Sequence, residues 1–418
     1  MKHAAVLFAA AALAAGLGTA QQSYSAFPRA EMQVNKSTLR TPGVKRHQTV
    51  GCAGVVVPTE TIAGDPARNL HPTANVAYFV WVEKYGGGYH VKFRRSGDGG
   101  FSWEKEKTIY FQTGTADWDF EALEVGATFH QVYVAMSTAG PNKLWPDQIY
   151  LVASEDQGQN WTRPLMINTK ASTLGKDTDE VVCHASLSRC HIAYEQADPS
   201  NNNDLNQVWY VGAEFKNGKL NIFKSDTRVS VHGSKPIFTD GVGYFDISSY
   251  GALVAIVYSS PRVGSNEGNL YCAVSSKFGT DFGDPKQITR ITNWTAANPR
   301  TDPYWECKVV CQKTNIYIIF GGNQVWPNNV YFTASHDMGR NFAKPVVVNK
   351  KGVGHDADSP FLAADGDLVV LGYHDDRDLS QSNNGNSAFL VADGNAGKDI
   401  LAGNFTEVRV DGPKVGVS

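Results

Sequence analysis

Ser96-Gly97-Asp98-Gly99-Gly100-Phe101-Ser102-Trp103 sets a pattern, Ser-x-Asp-x-Gly-x-x-aromatic. It returns as Ser154-Glu155-Asp156-Gln157-Gly158-Gln159-Asn160-Trp161 and as Ser335-His336-Asp337-Met338-Gly339-Arg340-Asn341-Phe342. Ser275-Ser276-Lys277-Phe278-Gly279-Thr280-Asp281-Phe282 is a worn copy. The starts are 58, 121 and 60 residues apart. The 121 is two periods and predicts a further unit near residue 214, where Glu214-Phe215-Lys216-Asn217-Gly218 keeps only the glycine. One more period past Ser335 reaches Ala392-Asp393-Gly394-Asn395. Six units of about 60 residues follow, and a fixed period of this kind fixes an architecture.

Each unit repeats one grammar. An apolar run such as Leu253-Val254-Ala255-Ile256-Val257-Tyr258 or Ile316-Tyr317-Ile318-Ile319-Phe320 comes first. A polar loop follows, then a second β-branched and aromatic run such as Gln148-Ile149-Tyr150-Leu151-Val152-Ala153, the box, and a last strand. Four short strands per unit, separated by Gly, Asn, Asp and Pro, predict the four-stranded antiparallel blades of an all-β, six-bladed β-propeller. No sustained helical periodicity appears after the first residues, so helices should be few. Within the box, Ser96, Asp98, Ser154, Asp156, Ser335 and Asp337 can bond nearby backbone and hold a hairpin turn. Gly100, Gly158 and Gly339 supply positive φ, and Trp103, Trp161 and Phe342 bury beside the next strand. All of these are structural tasks.

Lys2-His3, an apolar run from Ala4 to Leu17 and Gly18-Thr19-Ala20 read as a cleavable secretory leader. The run is shorter than the ~20 residues a membrane span needs. The expected organisation is a leader over 1–20, an N-terminal extension over 21–49 and one propeller over 50–418, secreted to an extracellular or periplasmic space without a membrane span. A net charge of −3 excludes a broad basic field for nucleic acid. Six cysteines in an oxidising compartment admit disulfides, with Cys183 and Cys190 placed to bridge neighbouring strands. Asn35, Asn160, Asn293 and Asn404 open Asn-x-Ser/Thr sites.

The box and its period resemble the bacterial neuraminidase repeat of the sialidase superfamily, over about residues 50–411. The resemblance implies a six-bladed propeller, on which glycosidases, lyases, lectins and receptors all occur. Its catalytic residues do not carry over. The first-blade strand Val50-Gly51-Cys52-Ala53-Gly54-Val55-Val56 has no arginine, and Trp81-Val82-Glu83-Lys84-Tyr85-Gly86-Gly87-Gly88 shows neither the expected arginine nor the acid/base aspartate. Glu180 stands where the family has its glutamate, Glu195 replaces the arginine that should follow, and Asp358 replaces the tyrosine nucleophile. A carboxylated sugar wants bidentate arginines, so a sialidase site would need displaced ones.

The opposite end of each blade from the box carries the family's active sites. Here the blade entrances are acidic: Asp117-Trp118-Asp119-Phe120-Glu121, Asp177-Thr178-Asp179-Glu180, Tyr244-Phe245-Asp246, Asp302-Pro303-Tyr304-Trp305-Glu306 and His355-Asp356-Ala357-Asp358. Glu180, Asp246, Glu306 and Asp358 are the candidate catalytic carboxylates, since two close carboxyls can act as acid and base or nucleophile on a glycosidic bond. Trp145 and Trp326, each followed by proline, are candidate sugar-stacking walls. Arg262, Arg300, Arg377 and His374 complete the substrate-binding candidates, the arginines as a displaced anion site and His374 as a partner for Asp375. Converging acids offer oxygen ligands for Ca²⁺, although no cofactor is required by the chemistry. An acid at a strand entrance can equally cap its own loop. No phosphate-binding glycine loop, zinc-ligand spacing or Gly-x-Ser-x-Gly nucleophile turn is present. The expectation is a secreted, sialidase-like, carbohydrate-active propeller whose partner is a glycan, either a glycoside hydrolase or a non-catalytic glycan- or protein-binding module.

Overall fold

Continuous apolar runs such as Ile316–Phe320 predict strands buried on both faces, and they form them. The computed structural model describes residues 48–57, 76–98, 100–113, 120–128, 130–138, 148–169, 178, 180–197, 206–232, 235–236, 244–262, 267–289, 304–322, 329–349, 357–375 and 387–409. Residues 1–47, over which the leader and most of the N-terminal extension are expected, lie outside them.

The first sheet holds β1 (Gln48–Val57), β2 (Val76–Tyr85), β3 (Gly88–Ser96) and β4 (Lys107–Thr113). The second holds β5 (Phe120–Ala127), β6 (Val132–Thr138), β7 (Gln148–Ser154) and β8 (Leu165–Met166). The third holds β9 (Val181–Ser186), β10 (Arg189–Ala197), β11 (Asn206–Lys216) and β12 (Lys219–Arg228). A small pair, β13 (Val231–His232) and β14 (Lys235–Pro236), follows. The fourth sheet holds β15 (Phe245–Tyr250), β16 (Leu253–Arg262), β17 (Glu267–Ser275) and β18 (Lys286–Gln287). The fifth holds β19 (Tyr304–Gln312), β20 (Asn315–Gly322), β21 (Asn329–Ser335) and β22 (Val346–Val347). The sixth holds β23 (Ala357–Asp365), β24 (Leu368–Asp375), β25 (Ser387–Asp393) and β26 (Glu407–Arg409), with α1 (Lys398–Leu401) before its last strand. Each sheet runs in simple meander order with neighbours antiparallel, which is the blade of a β-propeller, six times over.

The chain divides into two compact units, one of 1–194 with 211–226 and one of 195–210 with 227–418. In the first unit the core lies between the first two sheets, where Tyr78, Val80, Val91 and Phe93 meet Leu123, Val134, Met136 and Val152. In the second unit alternate residues of β20 serve two cores. Ile316, Ile318 and Phe320 pack on the fourth sheet, while Tyr317 and Ile319 pack on the sixth.

The boxes are the turns between third and fourth strands. In the three full copies the serine hydroxyl donates to the aspartate Oδ1 at 2.7–2.8 Å and accepts the glycine N–H at 2.7–2.9 Å. The same Oδ1 accepts the N–H of Ser102, Asn160 or Asn341, and Oδ2 takes a bond from that residue's side chain. Slight burial works to raise the pKa of Asp98 and Asp156, but these bonds hold both below the ordinary carboxylate value. For Asp337 the Asn341 N–H leads, and its value falls to about 2. The residue before the glycine is also left-handed: Gln157, Phe278, Met338 and Ala396 have φ of 54–59°. Each docks its N–H on the hairpin carbonyl of its own sheet, on His130, Ala252, Thr314 and Asp367.

Two units depart from the box. In the third sheet Asn217 and Gly218 make a two-residue left-handed turn straight from β11 to β12. In the sixth, Asp393 takes the serine position opposite Val369 and accepts the N–H groups of Asn395 and Ile400. That box is Asp393-x-Asn395-x-Gly397-x-x-Ile400, which begins inside the expected Ala392–Asn395 and runs five residues past it.

The disulfide expectation is corrected among the described residues. Cys183, Cys190, Cys272, Cys307 and Cys311 are buried free thiols. Cys183 faces Ile192 and Cys190 faces Ala185, so the two are diagonal neighbours. Diagonal neighbours stand about 7–8 Å apart, with Cβ atoms somewhat closer but still beyond the ~4 Å Cβ separation of a disulfide. The Cys190 thiol and burial together hold the Cys183 thiol well above its ordinary pKa.

Candidate functional site

Box turns, or in the third sheet the Asn217–Gly218 turn, occupy one end of each sheet, so first-strand entrances and second-to-third-strand loops share the other end. A large residue on each second strand marks a common rung there. Tyr194 faces Val181, Tyr258 faces Phe245 and Phe320 faces Cys307. Measured against that rung, the candidate acids are not equivalent.

Glu180 lies just before β9 and is exposed. Glu306 is the extra residue of a β-bulge between Trp305 and Cys307, half-buried, with φ of 44°. A non-glycine residue held there is strained by about 1–3 kcal/mol, and such strain concentrates at functional positions. The second sheet has the same irregularity between Phe120 and Ala122, at Glu121. Asp358 stands directly opposite His374, just before an irregularity that runs to Phe361. Bulges of this kind re-aim side chains at sheet ends.

Asp246 is the exception. It faces Val257, one rung inside the marker pair Phe245 and Tyr258. Its carboxylate accepts the backbone N–H of Val309 at 2.9 Å, and Ser248 Oγ accepts that of Cys311 at 3.0 Å. β19 is the edge of its sheet, so these outward N–H groups need acceptors from the neighbouring strand. Burial raises the Asp246 pKa, opposed by the Lys308 charge and by the Val309 and Ile247 N–H groups. Asp246 is thus a brace between β15 and β19, and the expectation that it shares the place of the other entrance acids is corrected.

β15, β19 and β23 pack side by side within the second unit. Glu306 and Asp358 therefore sit at the entrances of adjacent first strands. Beside them His374 is half-buried and Asp375 is fully buried, opposite Ala357 and Ser387. Arg262 ends β16 opposite Glu267. Trp145, Trp326, Arg300 and Arg377 lie outside the described residues. Among the described residues no group of three or more His, Cys, Asp or Glu side chains is placed to hold a metal ion, and no helix is long and apolar enough to cross a membrane.

Two features at this end escaped the sequence reading. Two residues beyond Trp81, Met136, Tyr194 and Tyr373 stand Glu83, Thr138, Gln196 and Asp375, all buried and polar. Glu83 accepts the Trp81 indole N–H at 2.8 Å, and Thr138 donates to Gln112. The second feature closes the outer strands. The N–H groups of Ile149, Val208, Leu270 and Val330 donate to Asn168, Ser230, Thr289 and Asn349 at 2.9–3.1 Å. Its signal was present: an apolar–polar pair ends 14 residues after each of Ser154, Ser275 and Ser335.

No family model matches the chain, and no curated protein matches it. Among solved structures it is similar to Trypanosoma rangeli sialidase, at 10% identity over 81% of this chain and 54% of that one, with a TM-score of 0.44. It is also similar to an α-L-arabinofuranosidase from Fusarium graminearum in complex with an iminosugar inhibitor, at 15% identity over 78% and 88%, with a TM-score of 0.41. A levansucrase mutant from B. megaterium aligns at 9% identity over 72% and 86%, with a TM-score of 0.38. The chain spans about half the length of the T. rangeli sialidase structures. At TM-scores below 0.5 these likenesses carry no argument, and the blade assignment rests on the strand pairing of this chain.

Proposed function

We propose that this chain is a secreted, carbohydrate-active propeller, and specifically a glycoside hydrolase whose chemistry is carried by Glu306 and Asp358. The observation that supports this reading is their position at the entrances of the adjacent strands β19 and β23. One carboxylic acid donates its proton to the glycosidic oxygen as the bond to the anomeric carbon breaks. The other carboxylate attacks that carbon or takes a proton from the water that does. His374, opposite Asp358, orients or exchanges a proton with it.

The absence of matched arginines argues for a neutral sugar over a sialoside. The test is hydrolysis of a panel of chromogenic glycosides, a sialoside included, with Ca²⁺ and with EDTA. Release from a neutral glycoside supports the proposal. Release from the sialoside alone assigns an anion site to displaced arginines such as Arg262, Arg300 or Arg377. A fully folded protein that is silent across the panel overturns the hydrolase and leaves a binding module.

A further inference from the structure

Three rings from three successive strands of the first sheet form a ladder. Tyr85 on β2 and His90 on β3 stack with centroids 3.8 Å apart and planes within 8°. His90 and Phe111 on β4 follow at 4.6 Å and 43°. The register explains the alignment, since His90 faces Phe111 and Tyr85 faces Gly88, putting all three on one face. Phe111 remains 46% exposed, and Tyr85 and His90 are half-buried.

Two glycine features keep this surface open. A Cβ on Gly88 would lie 2.6 Å from Phe111 Cε2, so any side chain there would displace the ring. At Gly86 and Gly87, the tip of the turn, nothing lies within 4 Å of where a Cβ would stand. Two buried charges lie beneath the rings: Lys92 Nζ sits 5.5 Å from the Tyr85 centroid, and Glu83 faces His90. Thr113, facing Gly88, is the exposed polar neighbour.

We infer that the exposed Phe111 ring, held in place by the stacked His90 and Tyr85, is a stacking face for a neutral sugar ring, an accessory glycan subsite built from residues other than Glu306 and Asp358. The inference rests on the reading that the chain takes glycans. A sugar ring offers an apolar C–H face to the exposed aromatic and hydroxyls to water and to the Thr113 side chain. The platform lies at the end of its sheet opposite the box turn, the end at which the entrance acids stand in their own sheets.

Affinity electrophoresis through gels containing soluble xylan, arabinan, levan or β-glucan tests it. On the polysaccharide that retards the parent protein, Phe111→Ala should weaken apparent affinity about tenfold. Phe111→Trp should retain it. Leu187→Ala, at a still more exposed apolar residue in the first hairpin of the third sheet, should leave it unchanged. Equal retardation of Phe111→Ala and parent overturns the platform alone. A parent protein that no polysaccharide retards, and that hydrolyses no glycoside, overturns the platform and the glycan reading together.

Discussion

The carboxylate of Asp246 accepts the backbone N–H of Val309 at 2.9 Å, joining the first strands of the fourth and fifth sheets. Removing that acceptor leaves an edge N–H without its partner. Asp246→Ala should therefore cost about 1–3 kcal/mol in urea unfolding. The pH dependence has a definite sign. Burial raises the folded-state pKa above the ordinary value, so the folded protein binds more protons than the unfolded chain between the two. This group's contribution is favourable at low pH and is lost as pH rises from about 3.9 through the raised value. Asp246→Asn should flatten that fall. A variant profile parallel to the parent's would show that Asp246 does not titrate this way.

The fourth box inverts the charges of the others. Lys277 occupies the aspartate position, and its Nζ bonds Asp281 at 2.8 Å, where the full boxes pair an aspartate with Ser102, Asn160 or Asn341. Lys277→Asp alone puts two carboxylates in one turn and should lower Tm. Adding Asp281→Asn rebuilds a full box and should restore it. Additive losses in the double variant would contradict the inversion.

Gly339 combines a φ of 78° with close packing, since a Cβ there would lie 2.7 Å from Val274 Cγ2. Gly366 has a φ of 59° but open space around it. Gly339→Ala should destabilise by about 2–3 kcal/mol more than Gly366→Ala, because overpacking adds to backbone strain. Equal losses in denaturant melts would reduce the effect to φ alone.

His184 and His191 face each other across β9 and β10. Burial lowers them to about 4 and about 3, with the neighbouring His184 and Arg189 charges adding to the effect at His191. Both folded values lie below the ordinary 6.5, so stability is present above that pH and lost as pH falls through 6.5 toward 3. Each histidine that takes up a proton on unfolding costs about 1.4 kcal/mol per pH unit. His191→Phe should blunt this acid sensitivity. An unchanged acid limb in its stability profile would place the sensitivity elsewhere.

The boxes were legible because their bonds are local: Ser335, Asp337, Gly339 and Asn341 settle one turn among themselves. Blade number followed from their spacing. The depth of the entrance acids was not legible, because it depends on bulges. One extra residue at Glu306, and none at Asp246, moves two residues that look alike in sequence onto different rungs. Braces such as Asp246 to Val309 join residues 63 apart and leave no local signal. The aromatic ladder was hidden for the same reason, since Tyr85, His90 and Phe111 align only through the register of three strands.

The most direct measurement is kcat/KM of Glu306→Gln, Asp358→Asn and Asp246→Asn on whichever glycoside the parent cleaves, each variant checked for native Tm. The account predicts a loss of about 10³-fold or more for Glu306→Gln and for Asp358→Asn, and a change within a few fold for Asp246→Asn. Parent-like activity in Glu306→Gln and Asp358→Asn, or a folded but inactive Asp246→Asn, would contradict it.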